Sequence, residues 1–592
     1  MNTNEWNRKD DLPQNTVSKF KNIINNLGIK TSVVSEEKYQ DNWFSNRIEI
    51  EGLLYVGTNG KGVTPDYTMA SALGEFMERL QSGALLGHLY QFGGSQCNKL
   101  NINTALRSFK IFFKKVCEEY SESDLKKILE LSTTNSKLLE FINLRTNEAY
   151  VITDRLVNIL CGTNGISAGN TFEEAFVQGM SEVFERYVMQ YIYKEEYSDT
   201  FKVFEESAYN SLKSNSLIKA IKERRYHVNV IDCSLNGKLP VVGVLLLDPS
   251  MSKYYFKLGS DANMDIALQR CITEIFQGNS FDVNFRFKMN DFYFSCYEES
   301  DFWFSNIRVL EHTKSEINGT GALPRGFLKC LSQTTTDKRI FVSGIKSNKE
   351  ISDYMYQCCK NISKDVYITN FTSLGVPCIR ILVPDMCASF YYRGNNVCQV
   401  IERINTFSQL IYNGQLLSEK ALYCLIDILE YPAYTYEFSM TKLLGIVTHE
   451  PIAEKYIYNP YLFTAYLAVY LRKFDIAQKY IQIYNRNARI NDVISKADNL
   501  ILLALSKNVP KKDLISYIAP VDTNKSIEHE IENIYSARDI GLKVPKCPLC
   551  DECDYMGVCS YDIWKNIQSQ INGYGINRCK KEFDNFINRY KK

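Results

Sequence analysis

Apolar residues recur at helical spacing near the start of the chain. Val17, Phe20, Ile23, Ile24 and Leu27 form one stripe between Asn15 and Leu27, and Gly28 follows where a left-handed residue ends helices. Ile48 to Gly57 alternates as a strand does and leads into Thr58-Asn59-Gly60-Lys61-Gly62, which reads as a flexible turn carrying one lysine. Thr64-Pro65-Asp66 opens a helix with a capping hydroxyl, a proline where no N–H is needed and an acid in the first turn. A second long helix starts at Thr171, which makes a capping box with Glu174. A third carries Arg270, Glu274 and Gln277 at i, i+4 and i+7. Strand-like runs lie at Val228 to Asp232, Pro240 to Leu247, Tyr254 to Leu258, Arg339 to Ser343 and Arg380 to Val383. Helices alternating with β-branched strands, several of them antiparallel, predict an α+β fold.

From about residue 415 the pattern is helical throughout. Leu462 to Ile481 reads as two helices joined by a short turn, the unit of a tetratricopeptide-like array. Residues 1–414 are thus expected to form one α+β domain, 415–545 a helical domain and 546–592 a cysteine-rich tail.

The chemistry starts from a carboxylate pattern that occurs twice. Glu75-Phe76-Met77-Glu78-Arg79 returns as Glu182-Val183-Phe184-Glu185-Arg186. On a helix each copy points two acids in one direction, because residues three apart share a face. Such segments are common on solvated helix faces. Here apolar neighbours flank both copies (Leu73, Phe76, Met77, Leu80; Met180, Val183, Phe184, Tyr187), and buried acids need partners. Two facing pairs would repel unless cations lay between them, and four carboxylates suit a hard ion such as Mg2+. Glu174, Gln178, Glu182 and Glu185 fall on one helical face.

Composition narrows the alternatives. The 592 residues are 45% hydrophobic with a net charge of +1, so bulk charge gives no footprint for nucleic acid or an acidic membrane. The longest apolar run, Val241 to Leu247, is too short to span a bilayer, and Met1 to Asp11 is polar rather than signal-like. The 18 cysteines then read as reduced thiols of a cytoplasmic protein. The five histidines show no helical metal spacing, which leaves histidine-held zinc and a Ser-His-Asp triad without support. Cys547, Cys550, Cys553 and Cys559 follow a metal-ligand spacing that suits tetrahedral Zn2+ or a 4Fe–4S cluster.

These segments resemble the YcaO family, whose members bind ATP without a classical phosphate loop. The matching stretches are Thr58 to Gly62, Ala70-Ser71-Ala72-Leu73-Gly74-Glu75 with Glu78-Arg79, Ser167 to Thr171, Glu174-Ala175, Ser181-Glu182, Glu185-Arg186, and Arg270, Glu274 and Gln277. The resemblance covers about residues 1–410, and Gly57-Thr58-Asn59-Gly60-Lys61-Gly62 lacks phosphate-loop spacing. It implies that Glu75, Glu78, Glu182 and Glu185 hold Mg2+ against a triphosphate and that Arg186 and Arg270 meet phosphate oxygens. It further implies nucleotide contacts from Lys9, Thr16, Lys61, Ser71, Asn170, Glu174, Gln178 and Gln277. Thr16 keeps the hydroxyl where the family often has serine.

The activity the resemblance implies is ATP-dependent phosphorylation of a backbone amide oxygen in a peptide or protein substrate. Phosphate then leaves in place of water. A side-chain nucleophile gives an azoline, sulfide gives a thioamide and an amine gives an amidine. The chain ends Asn588-Arg589-Tyr590-Lys591-Lys592, basic and free of the prolines found in azoline-forming members. The long form with a helical extension is similar to accessory factors for β-methylthiolation of ribosomal protein S-twelve, which implies a methylthiotransferase or sulfur-transfer partner and allows a homodimer. The alternatives are a thioamide- or azoline-forming enzyme of peptide natural products, and a non-catalytic ATP-binding scaffold. The cysteine-rich tail departs from the long-form pattern.

Overall fold

The computed structural model describes residues 9–39, 43–54, 56–86, 100–133, 136–194, 199–277, 289–291, 321–345, 347–388, 396–430, 440–444, 455–487, 509–510, 513, 542–547, 549–573 and 579–591. Part of the predicted helical domain therefore lies outside the described residues.

Helix α1 (Pro13–Asn26) ends at Gly28, whose φ of 68° supplies the left-handed stop. Strands β1 (Thr31–Tyr39), β2 (Trp43–Ile50) and β3 (Gly57–Gly62) form an antiparallel sheet in that order. The predicted flexible turn at Thr58 to Gly62 is thus a strand. Its glycines are there for space: a Cβ on Gly60 would lie 2.2 Å from the Thr68 carbonyl oxygen, because helix α2 (Pro65–Ser82) presses against the strand. Thr64 caps α2 by accepting from the Tyr67 N–H, with Pro65 in the first turn.

Helices α3 (Ile102–Phe112), α4 (Lys114–Cys117) and α5 (Glu122–Ser132) precede β4 (Leu138–Asn143) and β5 (Ala149–Thr153). Then come α6 (Asp154–Cys161), β6 (Ile166–Ala168) and α7 (Phe172–Ile192). β4, β5 and β6 join β13 (Tyr367–Asn370) and β14 (Cys378–Leu382) in a sheet ordered β5-β4-β13-β14-β6. The other sheet takes β7 (Lys202–Phe204), β8 (His227–Asp232), β9 (Val241–Leu247), β10 (Lys253–Ser260), β11 (Asn290–Asp291) and β12 (Thr334–Thr335), ordered β11-β10-β9-β8-β7-β12. Helices α8 (Glu206–Tyr209), α9 (Asn215–Glu223) and α10 (Met264–Ile275) accompany it. Later helices are named here by their residues.

The predicted strands at Val228, Pro240, Tyr254 and Arg380 are present, and β12–β7 is the parallel pairing among the described strands. The one predicted at Arg339 to Ser343 is absent there. Asp337 accepts from the Arg339 N–H at 3.1 Å and from its Nε at 2.9 Å, which bends the chain into a local turn that competes with a ladder.

Helix α7 lies between the two larger sheets, packed against β6 and β14 on one side and β9 and β10 on the other. Phe176, Met180, Val183 and Phe184 are fully buried, so its acids emerge from an otherwise apolar rod. β6 separates α7 from α2, and α10 closes over β3 and β10. A second core gathers the helices from 404 to 484, including the predicted hairpin as Pro460–Tyr470 and Phe474–Asn487. Tyr555 of the tail packs into that core, and Ile567 and Ile571 of helix Tyr561–Gly573 pack into the core beneath α1 and α2. No helix among the described residues is long and apolar enough to cross a membrane.

Candidate functional site

One cavity of ≈ 400 Å³ opens between β3, α2, α7, β10 and α10. Both carboxylate pairs line it: Glu75 and Glu78 from α2, Glu182 and Glu185 from α7. Lys9, Thr16, Lys61, Ser71, Asn170, Glu174, Gln178, Arg186, Arg270 and Gln277 line it too. The tail cysteines lie elsewhere.

The local fold explains this convergence. The i, i+3 spacing turns each acid pair out of one side of a helix whose other sides are buried. α10 delivers Arg270 to α7, where Nη1 donates to Gln178 Oε1 at 2.7 Å and Nη2 lies 3.4 Å from Glu185 Oε1. Glu185 also accepts from the Ser260 N–H at the end of β10, at 2.8 Å. Arg186 Nε donates to Glu182 at 3.0 Å, and Arg79 lies 3.6 Å from Glu75 and 3.5 Å from Glu78. On the opposite wall Lys61 pairs with Glu274 and donates to Gln277 Oε1 at 3.3 Å, while Gln277 Nε2 donates to the Asn59 carbonyl at 3.3 Å.

A third group holds the N-terminal segment. Glu174 accepts from Lys9 Nζ at 3.2 Å, from the Asp10 N–H at 3.1 Å and from Asn170 Nδ2 at 3.2 Å. Asn170 Oδ1 in turn accepts from the Thr16 hydroxyl at 3.2 Å. Thr171 caps α7 by accepting from the Glu174 N–H at 3.1 Å. The capping box is therefore only half made. The Glu174 carboxylate faces the cavity and takes Lys9, a charged partner with more to offer than the Thr171 backbone N–H.

The electrostatics are strained. Burial, opposed by Arg79 but reinforced by Glu75 and Glu182, pushes the Glu78 carboxyl up to about 8. Burial also raises Glu185, against the pull of Arg270, the Ser260 N–H and Lys61. Burial and the neighbouring Arg270 push Lys61 down to about 8, although Glu185, Glu75 and Glu182 favour its charge. A cavity that raises acids by burial and by their mutual charge gains from a cation among them. Four hard oxygen donors fit Mg2+, and Lys61, Arg186 and Arg270 fit phosphate oxygens.

Among the described residues, no group of three or more histidine, cysteine or acidic side chains is arranged to hold a metal ion. In the cavity the carboxylates turn onto arginines. Cys547, Cys553 and Cys559 pack against the helical core while Cys550 is exposed, and burial together with the neighbouring Cys553, Cys559 and Cys550 pushes the Cys547 thiol up to about 11.

Lys257 escaped the sequence reading. It lines the cavity from β10, is 6% exposed, and its Nζ lies 4.0 Å from Glu274 Oε1. The available signal was a lone lysine inside the apolar strand Tyr254-Tyr255-Phe256-Lys257-Leu258. Asp10 and Asn348, which meet at 2.9 Å, carried no signal at all, because their proximity spans 338 residues of chain.

A family model described as YcaO cyclodehydratase, ATP- and Mg2+-binding, matches residues 59–387. An uncharacterised protein of Haemophilus influenzae is 27% identical over 402 residues, covering 64% of this chain and 65% of that protein. The "Ribosomal protein S12 methylthiotransferase accessory factor YcaO" of Escherichia coli is 26% identical over 411 residues, with the same coverage of 64% and 65%. The match thus spans just under two thirds of each of these relatives. A solved YcaO structure from Methanopyrus kandleri, bound with AMPPCP and Mg2+, is 15% identical with a TM-score of 0.41, covering 65% of this chain and 93% of that one.

Proposed function

The chain belongs to the YcaO family, and from that premise we propose that its cavity binds ATP with Mg2+ and activates a peptide backbone amide by phosphorylating the amide oxygen. One observation carries the reading: both carboxylate pairs line a single cavity together with Lys61, Arg186 and Arg270.

Glu75, Glu78, Glu182 and Glu185 would hold the metal, which when bound supplies charge neutralisation at the phosphates. Lys61, Arg186 and Arg270 would orient phosphate oxygens, and Arg270 is already aimed by Gln178 and Glu185. Glu174 and Asn170 would keep Lys9 and Thr16 at the rim. A nucleophile adds to the amide carbonyl carbon, and the resulting oxyanion attacks the terminal phosphorus as ADP leaves. Phosphate then departs with the former carbonyl oxygen, a far better leaving group than oxide or hydroxide.

Among substrates, the relative in Escherichia coli favours an accessory role in the methylthiolation of a ribosomal protein. A peptide of a natural-product pathway is the second substrate class. The test is MgATP binding by calorimetry and phosphate release with the full chain, alone and with candidate peptides. Peptide-dependent release with a matching product mass supports amide activation. Binding without turnover leaves a scaffold, and no binding overturns the reading.

A further inference from the structure

The helix Lys580–Asn588 lays Phe583, Phe586 and Ile587 into the main core. Phe583 meets Phe172 with ring centroids 5.3 Å apart, and Phe586 meets Phe176 at 5.6 Å. Tyr590, just beyond, contacts Phe176 at 5.9 Å and Tyr356 at 4.7 Å. The helix is therefore anchored on the first turns of α7 and on the helix Asn348–Asn361.

Between these anchors sits Arg589. Its Nη1 donates to Glu173 Oε1 at 2.6 Å, its Nη2 to Ser352 Oγ at 2.7 Å, and its Nε lies 3.2 Å from Asp353 Oδ1. Its side chain is 19% exposed, so these charged contacts are partly shielded from water. Glu173 is the neighbour of Glu174, which holds Lys9 and the Asp10 N–H. Ser352 lies one helical turn from Asn348, whose Nδ2 donates to Asp10 Oδ1 at 2.9 Å. Arg589 thus ties together the two helices that pin the segment carrying Lys9 and Asp10 to the cavity. No residue from 579 to 591 lines the cavity itself.

We propose that Arg589 is a positioning residue for the nucleotide cavity: it locks the first turn of α7 to the helix Asn348–Asn361, so that Glu174 and the Lys9–Asp10 segment stay in place to receive ATP. The proposal rests on reading the cavity as a nucleotide site. An arginine suits the task because its planar fork serves three partners at once, which a lysine ammonium reaches only in part.

The experiment compares the full chain with Arg589→Ala and Arg589→Lys, measuring KM for ATP, kcat, thermal unfolding and hydrogen exchange at residues 9–11 and 171–176. Arg589→Ala is expected to raise KM by about five- to tenfold, a usual size for coupling between separate sites, with kcat within about twofold. Exchange in both segments should rise and Arg589→Lys should recover part of each effect. Unchanged KM and exchange in Arg589→Ala overturn the proposal. So does a loss of kcat and KM in step with a lowered Tm, which would make the contact structural only. A wild-type chain that binds no ATP sinks the nucleotide reading instead, a result separate from either outcome for the variant.

Discussion

Arg270 donates to Gln178 Oε1 at 2.7 Å across 92 residues of chain. The bond joins α10 to α7 inside the cavity and holds the guanidinium beside Glu185. Arg270→Met removes the charge while keeping the length of the stem. Phosphate release from MgATP should fall by about 10²-fold, the usual loss for a group that stabilises charge in the transition state. Tm should change little, since Glu185 keeps its bond to the Ser260 N–H. A variant with full turnover would remove Arg270 from the phosphate site.

Glu75→Gln and Glu182→Gln each delete one charge from a crowded set of acids. Both should lose Mg2+-dependent ATP binding by about 10- to 100-fold with little change in Tm, because Arg79 keeps Glu78 and Arg186, 28% exposed, stays open to water when it loses the Glu182 charge. Chelation of Mg2+ with EDTA should match them in calorimetry. Nucleotide affinity indifferent to both changes and to EDTA would remove the carboxylates from the metal site.

Lys61 is depressed to about 8 by burial and Arg270. Its charge, which favours a triphosphate, is present below that pH and lost above it. ATP affinity should therefore decline as pH rises past about 8 until the ligand-bound lysine has also lost its proton. Lys61→Met should bind more weakly at pH 7 and flatten the slope. A wild-type profile that stays level from pH 7 to 10 would contradict this role.

Gly60 leaves no room for a side chain, since a Cβ would sit 2.2 Å from Thr68 O and 2.4 Å from Asn46 Oδ1. Gly60→Ala must push α2 away from β3, at a cost of about 3 kcal/mol read from denaturant unfolding. It should also weaken ATP binding, because Lys61 moves with the strand. Gly83→Ala is the contrasting case, where nothing lies within 4 Å and only the φ of 77° resists.

Thiol labelling separates packed from free cysteines. Cys271, Cys359 and Cys378 are raised well above the ordinary thiol range, with burial as the main cause, and should react with iodoacetamide only after unfolding. Cys550, exposed, should react first, and Cys550→Ser should leave Tm little changed. Stoichiometric metal lost with Cys550→Ser would establish a tetrathiolate centre in the tail.

Much of the local structure was legible in the sequence. The repeated pattern placed Glu75 with Glu78 and Glu182 with Glu185 on one side of a helix each, and those sides line the cavity, because side-chain direction along a helix follows from spacing alone. The caps at Thr64 and Thr171 and the stop at Gly28 followed from backbone groups that need partners within a few residues. Single sequence signals misled where a distant surface intervened. The glycines around Lys61 looked like flexibility, and the press of α2 made them a strand. Glu174 looked like half of a capping box, and Lys9 drew it into the cavity.

What the sequence by itself determined was therefore which chemistry each helix presents and where each helix begins. Tertiary structure alone decided that α2, α7 and α10 present it to one cavity, that Lys257 joins them, and that Arg589 braces the rim from the far end of the chain. The physical reason is range. Caps, turns and helix faces are set within about four residues, whereas the closing of a cavity depends on sheets that pair and cores that fill across hundreds.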